Sequence, residues 1–162
     1  MKILFLDIDG VMNYHKLLLA EGIDAISEPA LDLLKMIVFA TDAKIVLSST
    51  WRLWEDARAT VRKRLGTRGM DFIDVTKELR IKFSRSAPRA DEIKEWLERH
   101  PEVTNFAILD DDPDAGLEEL AGHFFQTSFD HGLTPVIAEK VINHLRGETA
   151  NNMSEKCENE VE

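Results

Sequence analysis

Cysteine is almost absent from this chain. The single residue, Cys157, lies in a polar stretch without an intrachain partner, which excludes a disulfide framework and a thiolate zinc site and argues against a thiol nucleophile. Histidine offers no substitute, since His15, His100, His123, His131 and His144 share no metal-ligand spacing. No apolar run approaches the roughly 20 residues that cross a bilayer, and no basic segment leads into an apolar one. A cytoplasmic protein without a membrane partner is expected. Positive charge is also in short supply. The 20 Lys and Arg stand against 30 Asp and Glu, a formal net charge of -10. This balance argues against a general nucleic-acid coat protein, which neutralises phosphates with clustered cations.

The deficit of positive charge is uneven. From Arg52 to Arg89, eleven basic residues meet five acidic ones, a local excess of +6. Such a stretch is either a solvated helix face with loop charges or a positive rim facing a phosphorylated substrate. From Glu148 onward the sequence ETANNMSEKCENEVE is acidic and lacks aromatic residues, so it has little to bury and is expected to be disordered. With 44% hydrophobic residues, the rest suffices for one well-packed domain. That division gives one domain over 1–146 and an acidic tail over 147–162.

Hydrophobic periodicity predicts alternating strands and helices. Strands are expected over Lys2–Leu6, Lys44–Leu47, around Phe72–Val75, Asn105–Leu109 and near His123–Thr127. Helices are expected over Pro29–Ala40, Trp54–Leu65, Asp91–Arg99 and Pro135–Leu145, several marked by a proline start or a glycine stop. Asn13–Glu28 leaves room only for a hairpin or a short helix. This alternation implies a three-layer α/β fold, a doubly wound parallel sheet with helices on both faces. Ligands in such sheets bind at the carboxyl ends of the strands.

Three strand ends carry polar clusters. Asp7 and Asp9 close the run Ile3-Leu4-Phe5-Leu6. Like charges at the end of a buried strand cost stability unless a cation sits there. An i, i+2 pair on a strand points to one face, and Gly10 permits a sharp turn just beyond. Ser48, Ser49 and Thr50 end the second strand, and Asp110-Asp111-Asp112-Pro113-Asp114 follows the apolar run NFAIL. Hard oxygen ligands without His or Cys select Mg2+ over zinc. A hydroxyl can bind a phosphoryl oxygen, and Arg89 or Lys94 can balance its charge, so phosphoryl transfer is the natural chemistry. Blander readings stand beside these. The hydroxyls could only cap the following helix, the acids could form an N-cap turn, and Arg89 could simply pair with Asp91 or Glu92. Trp51 and Trp54 could pack in the core or stack on a base.

These residues resemble the haloacid dehalogenase (HAD) superfamily of aspartyl-phosphate phosphohydrolases. Its first motif is matched by Asp7-Ile8-Asp9-Gly10-Val11, its second by Ser48, its third by Arg89 and its fourth by Asp110-Asp111, all in order over roughly residues 1 to 146. The details LSSTWR and ILDDDPD are similar to the subgroup akin to polynucleotide 3'-phosphatases and nucleic-acid repair proteins. The resemblance implies a Rossmann-type HAD-like fold with a minimal cap or none, because the gaps that hold cap insertions in this family are short here.

The resemblance also implies a Mg2+-dependent phosphomonoester hydrolase in which Asp7 is the nucleophile and Asp9 the acid and base. Asp7, the backbone carbonyl of Asp9 and Asp111 would hold Mg2+, with Asp110 and Asp114 ordering the metal shell. Ser48 would hold a phosphoryl oxygen, and Arg89 would stand where the family more often has Lys, with Lys94 as a rival. Ser49, Arg52 and Lys94 are expected to contact substrate, a nucleic-acid end or nucleotide, with no obligate protein partner. The alternative from another class is a Mg2+-binding phospho-acceptor module that does not turn over. Retention of Asp9 and the order of the acids favour hydrolysis.

Overall fold

The structure is a computed structural model that describes residues 1–81 and 85–148. In chain order the elements are β1 (Lys2–Leu6), α1 (His15–Glu21), α2 (Glu28–Thr41), β2 (Lys44–Leu47), α3 (Glu55–Gly66), β3 (Phe72–Val75), β4 (Arg80–Ile81), β5 (Arg85–Ser86), α4 (Arg89–Glu98), β6 (Asn105–Asp110), β7 (Phe124–Gln126) and α5 (Pro135–Arg146). Five strands form a parallel sheet in the order β3-β2-β1-β6-β7, and β4 pairs with β5 as a separate antiparallel hairpin. The strand order reverses between β1 and β6, which opens a crevice at their carboxyl ends.

Alternation along β1 divides the core in two. Leu4 and Leu6 face α2, α3 and α5, packing with Leu31, Leu34, Ile37, Val61, Val141 and Leu145. Ile3 and Phe5 face α4 and two short 3-10 turns, packing with Ile93, Trp96, Ala115 and Leu120. Both sides of the strand are therefore covered, as the continuous apolar runs require. The fully buried Trp96 meets Phe5 edge-on at 5.4 Å between ring centroids, and its indole N–H donates to Asp74 at 2.8 Å.

Local chemistry sets the helix ends. The Ser27 hydroxyl accepts from the backbone N–H of Ala30, with Pro29 in the first turn of α2. Thr134 does the same for Ile137 at the start of α5, which Gly147 ends in the left-handed region at φ 76. The expected strands at β1, β2 and β3 have the observed bounds, whereas the helices shift at their ends by one or two residues. The Asn13–Glu28 gap contains the short helix α1, none of whose residues is buried. The β4–β5 hairpin was not expected, because two-residue strands carry no periodicity. Lys82, Cys157 and all of the expected disordered tail from residue 149 lie outside the described residues.

Candidate active site

The sheet ladder runs one step past the strands and fixes the site from the backbone upward. The N–H of Asp7 donates to the carbonyl of Leu109 and that of Ser48 to Leu6, both at 3.0 Å, while the N–H of Thr127 donates to the carbonyl of Asp110 at 3.0 Å. Asp7, Ser48 and Asp110 are thereby held side by side at the carboxyl edge, in the crevice where the strand order reverses. All three are buried.

Asp7, Asp110 and Asp111 present carboxylate oxygens within 4.8 Å of one another. Burial pushes the Asp7 carboxyl up to about 6, against the pull of the Arg89 guanidinium and a hydrogen bond from Ser49. For Asp110, burial and then the charge of Asp7 push it up to about 8. Asp111 is raised too, mainly by burial. Neither the Asp110 Oδ2 atom nor the Ser48 hydroxyl has a hydrogen-bond partner, although both are buried. A hard divalent cation fits this donor set, since it would neutralise the three acids and satisfy the orphaned oxygen. Gly10 makes room for the arrangement. At φ +74 its backbone is left-handed, and a Cβ there would lie 2.4 Å from the Asp111 carboxyl.

Asp9 lies apart from this group. Its two oxygens accept from the Trp51 indole N–H at 2.9 Å and the Asn13 amide at 2.8 Å. The other end of the Asn13 amide accepts from the Gly10 N–H at 3.0 Å. Two donors from different loops therefore fix the plane of one carboxylate. Asn13 was missed in the sequence, although its position three residues beyond Gly10 was available as a signal. Trp51 is spent on this bond and is 7% exposed, so it is not a free stacking surface.

Arg89 reaches the acids from the first turn of α4. Its guanidinium donates to the Ser48 carbonyl and stands 3.7 Å from Asp110 and 3.4 Å from Glu92. Asp114, expected to order the metal shell, accepts from the Arg89 backbone N–H at 3.0 Å instead and so caps α4.

Arg52, expected at the substrate, is 3% exposed. It donates to the carbonyls of Ser48, Ser49 and Thr76 and pairs with Glu92 at 2.7 Å, which makes it an internal brace. Glu92 thus joins Arg52 to Arg89, a role with no local sequence signal because its partners are distant in the chain. Lys94, the rival cation, is held by Glu118 and Glu119. Ser49, also expected at the substrate, accepts from the Trp51 N–H and lies beside the Asp7 carboxyl.

The expected positive rim is largely neutralised. Arg62 pairs with Asp71, Arg64 and Arg68 with Glu28, Arg68 also with Asp32, Lys77 with Glu95 and Arg80 with Glu78. Most of these acids lie outside the basic stretch. Beside Asp9 opens a cleft of about 500 Å³, within the range of small-molecule sites. No described helix is long and apolar enough to cross a membrane.

A search of curated proteins finds no significant match. The family model for the HAD domain in Swiss Army Knife RNA repair proteins matches residues 3–138, a span that runs from the second residue of β1 to the first turn of α5 and holds every site residue named above. The chain therefore belongs to this HAD family.

Proposed function

We propose that the protein is a Mg2+-dependent phosphomonoester hydrolase that works through an aspartyl-phosphate on Asp7 and acts on nucleic-acid ends or nucleotides. The observation that carries this reading is the separation of two aspartates one residue apart. Asp7 joins the buried Asp110 and the half-buried Asp111, while Asp9 is held outside them by Trp51 and Asn13. A nucleophile and an acid/base need such different surroundings.

In the first step an Asp7 oxygen bonds to phosphorus as the bond to the leaving oxygen breaks, and Asp9 delivers a proton to that oxygen. Asp9 then takes a proton from water, whose oxygen attacks phosphorus and breaks its bond to Asp7, releasing phosphate. Ser48 and Arg89 hold the phosphoryl oxygens, and Arg89 offsets their charge. Mg2+ held by Asp7, Asp111 and Asp110 would supply further charge neutralisation for the phosphoryl group. The catalytic domain is taken as 1–146.

The substrate class rests on the RNA repair context of the family. The test is phosphate release from a panel of 3'- and 5'-phosphorylated oligonucleotides, nucleotides, sugar phosphates and phosphopeptides, with and without Mg2+. Nucleotide ends are expected to lead, and beryllium fluoride is expected to block turnover. Unchanged activity after Asp7→Asn would remove the nucleophile assignment.

A further inference from the structure

We propose that the cleft beside Asp9 is a nucleobase subsite selective for bases with an exocyclic amine. The leaving nucleoside stacks on Trp54 and Phe129, and its base donates to the Asp24 carboxylate. This inference rests on the phosphatase reading in one respect, the assignment of Asp9 as the acid.

Position comes first. The group that protonates the leaving oxygen must touch it, so the body of the leaving group lies on the Asp9 side of the phosphorus. The cleft of about 500 Å³ is on that side and has Asp9 in its wall. Its other walls include Trp54, Phe129, Leu18, Ile23 and Asp24, contributed by the turn before α3, the loop after β7 and the segment around α1.

The chemistry of these walls narrows the occupant. Trp54 is 60% exposed and Phe129 is 42% exposed, whereas Trp51 and Trp96 are buried. His15 stacks behind Phe129 at 5.9 Å between ring centroids, which steadies that ring. Open aromatic faces of this kind take flat, neutral rings, and stacking is tolerant of base identity.

Charge then selects among the rings. Among the described residues no Lys or Arg lines the cleft, and the ionisable groups there are Asp9 and Asp24. A second phosphate or carboxylate would be repelled there. Asp24 makes no ion pair among the described residues, so it is a free acceptor. Adenine, cytosine and guanine each offer an amine to such an acceptor, as carboxylates accept from cytosine in base recognition. Uracil flanks its single N–H with two carbonyls that a carboxylate repels.

The test compares kcat/KM for the 3'- and 5'-monophosphates of guanosine, adenosine, cytidine and uridine with glycerol phosphate and a phosphotyrosine peptide. The amine-bearing nucleotides are expected to exceed glycerol phosphate by about 5- to 100-fold, the size of one stacked base, and to exceed uridine phosphate several-fold. Trp54→Ala should bring the ratio of nucleotide to glycerol phosphate toward one. Asp24→Asn, which can also donate, should narrow the gap to uridine.

Guanosine alone should quench tryptophan fluorescence in the unaltered protein and fail to do so in Trp54→Phe. Parity of glycerol phosphate with nucleotides, preference for the phosphotyrosine peptide, equal use of uridine or absence of quenching each overturns the subsite. If no phosphomonoester is hydrolysed, the phosphatase reading falls, and the quenching experiment still decides the subsite separately.

Discussion

Replacing Asp7 by Asn should stabilise the metal-free protein while abolishing turnover. The amide keeps the size of the side chain, but it removes one charge from a cluster of three acids, two of them buried. Burial raises the Asp7 carboxyl from 3.8 to about 6, roughly two pH units and so about 3 kcal/mol. A buried acid with a raised value carries no penalty below its unfolded value near 4, where both states hold the proton. The penalty grows as pH rises from about 4 to about 6, while only the unfolded chain ionises, and is constant above.

In EDTA at pH 8 the variant should therefore melt about 6 to 12 °C higher than the unaltered protein, using the shift per kcal/mol of a chain this size. At pH 4 the gain should shrink to below about 1 kcal/mol. Relief of the Asp7 charge on Asp110 acts in the same direction. Saturating Mg2+ should reverse the order, because the variant lacks one of the three carboxylate ligands. Phosphatase activity should fall at least about 10³-fold, since the amide is not a competent nucleophile. Thermal melts at both pH values, with EDTA and with Mg2+, give the answer. A variant that melts no higher than the unaltered protein in EDTA at pH 8 would refute the claim that burying the Asp7 charge costs the metal-free protein stability.

Trp51→Phe keeps an aromatic ring, though a smaller one, and deletes the N–H that holds Asp9. It should lower kcat about 10- to 100-fold for alkyl phosphates. The loss should be smaller for p-nitrophenyl phosphate, whose leaving group needs no proton, and equal losses on both would remove Trp51 from the positioning of the acid. Glu92→Gln leaves Arg52 buried without its counter-charge and should cost about 3 to 5 kcal/mol in urea unfolding; a loss below about 1 kcal/mol would show that the brace contributes little. Because most cations of the basic stretch are already paired, log(kcat/KM) on an end-phosphorylated single-stranded oligonucleotide should fall with log[salt] at a slope near -0.7, the value for about one contacted phosphate. A slope steeper than about -2 would mean that a phosphate-tracking groove exists after all.

The fold was largely legible because its core strands are short apolar runs with both faces buried. Lys44–Leu47 and Phe72–Val75 stand out as β-branched or aromatic segments between polar punctuation, and the structure gives them those bounds. Elements with little hydrophobic pattern of their own were legible at most as gaps between the others. The α1 helix buries none of its residues, β4 and β5 are two residues each, and the 3-10 turns over Pro113–Gly116 and Glu118–His123 lie where the sequence suggested only an acid run and the approach to β7. Each is held by tertiary context, which periodicity does not encode.

At the site, the residues whose position was legible were those whose place follows from a strand end. Asp7, Ser48 and Asp110 needed only the rule that polar groups closing buried strands share one edge of a parallel sheet. The misplaced cations have one cause. A guanidinium reaches several ångströms from its own backbone, so its partner is set by packing between elements rather than by neighbours in the chain.

Arg52 follows the hydroxyl cluster in sequence but turns inward to Glu92 on α4, and Arg64 and Arg68 cross to Glu28 on α2. Local charge counting therefore showed a positive surface where the fold had arranged one buried brace and a set of surface pairs. With those cations engaged, binding selectivity at this site must come from the shape and hydrogen bonding of what lies next to the phosphate. The Asp9 cleft, with its open aromatic faces and its unpaired Asp24, is the described surface equipped to supply both.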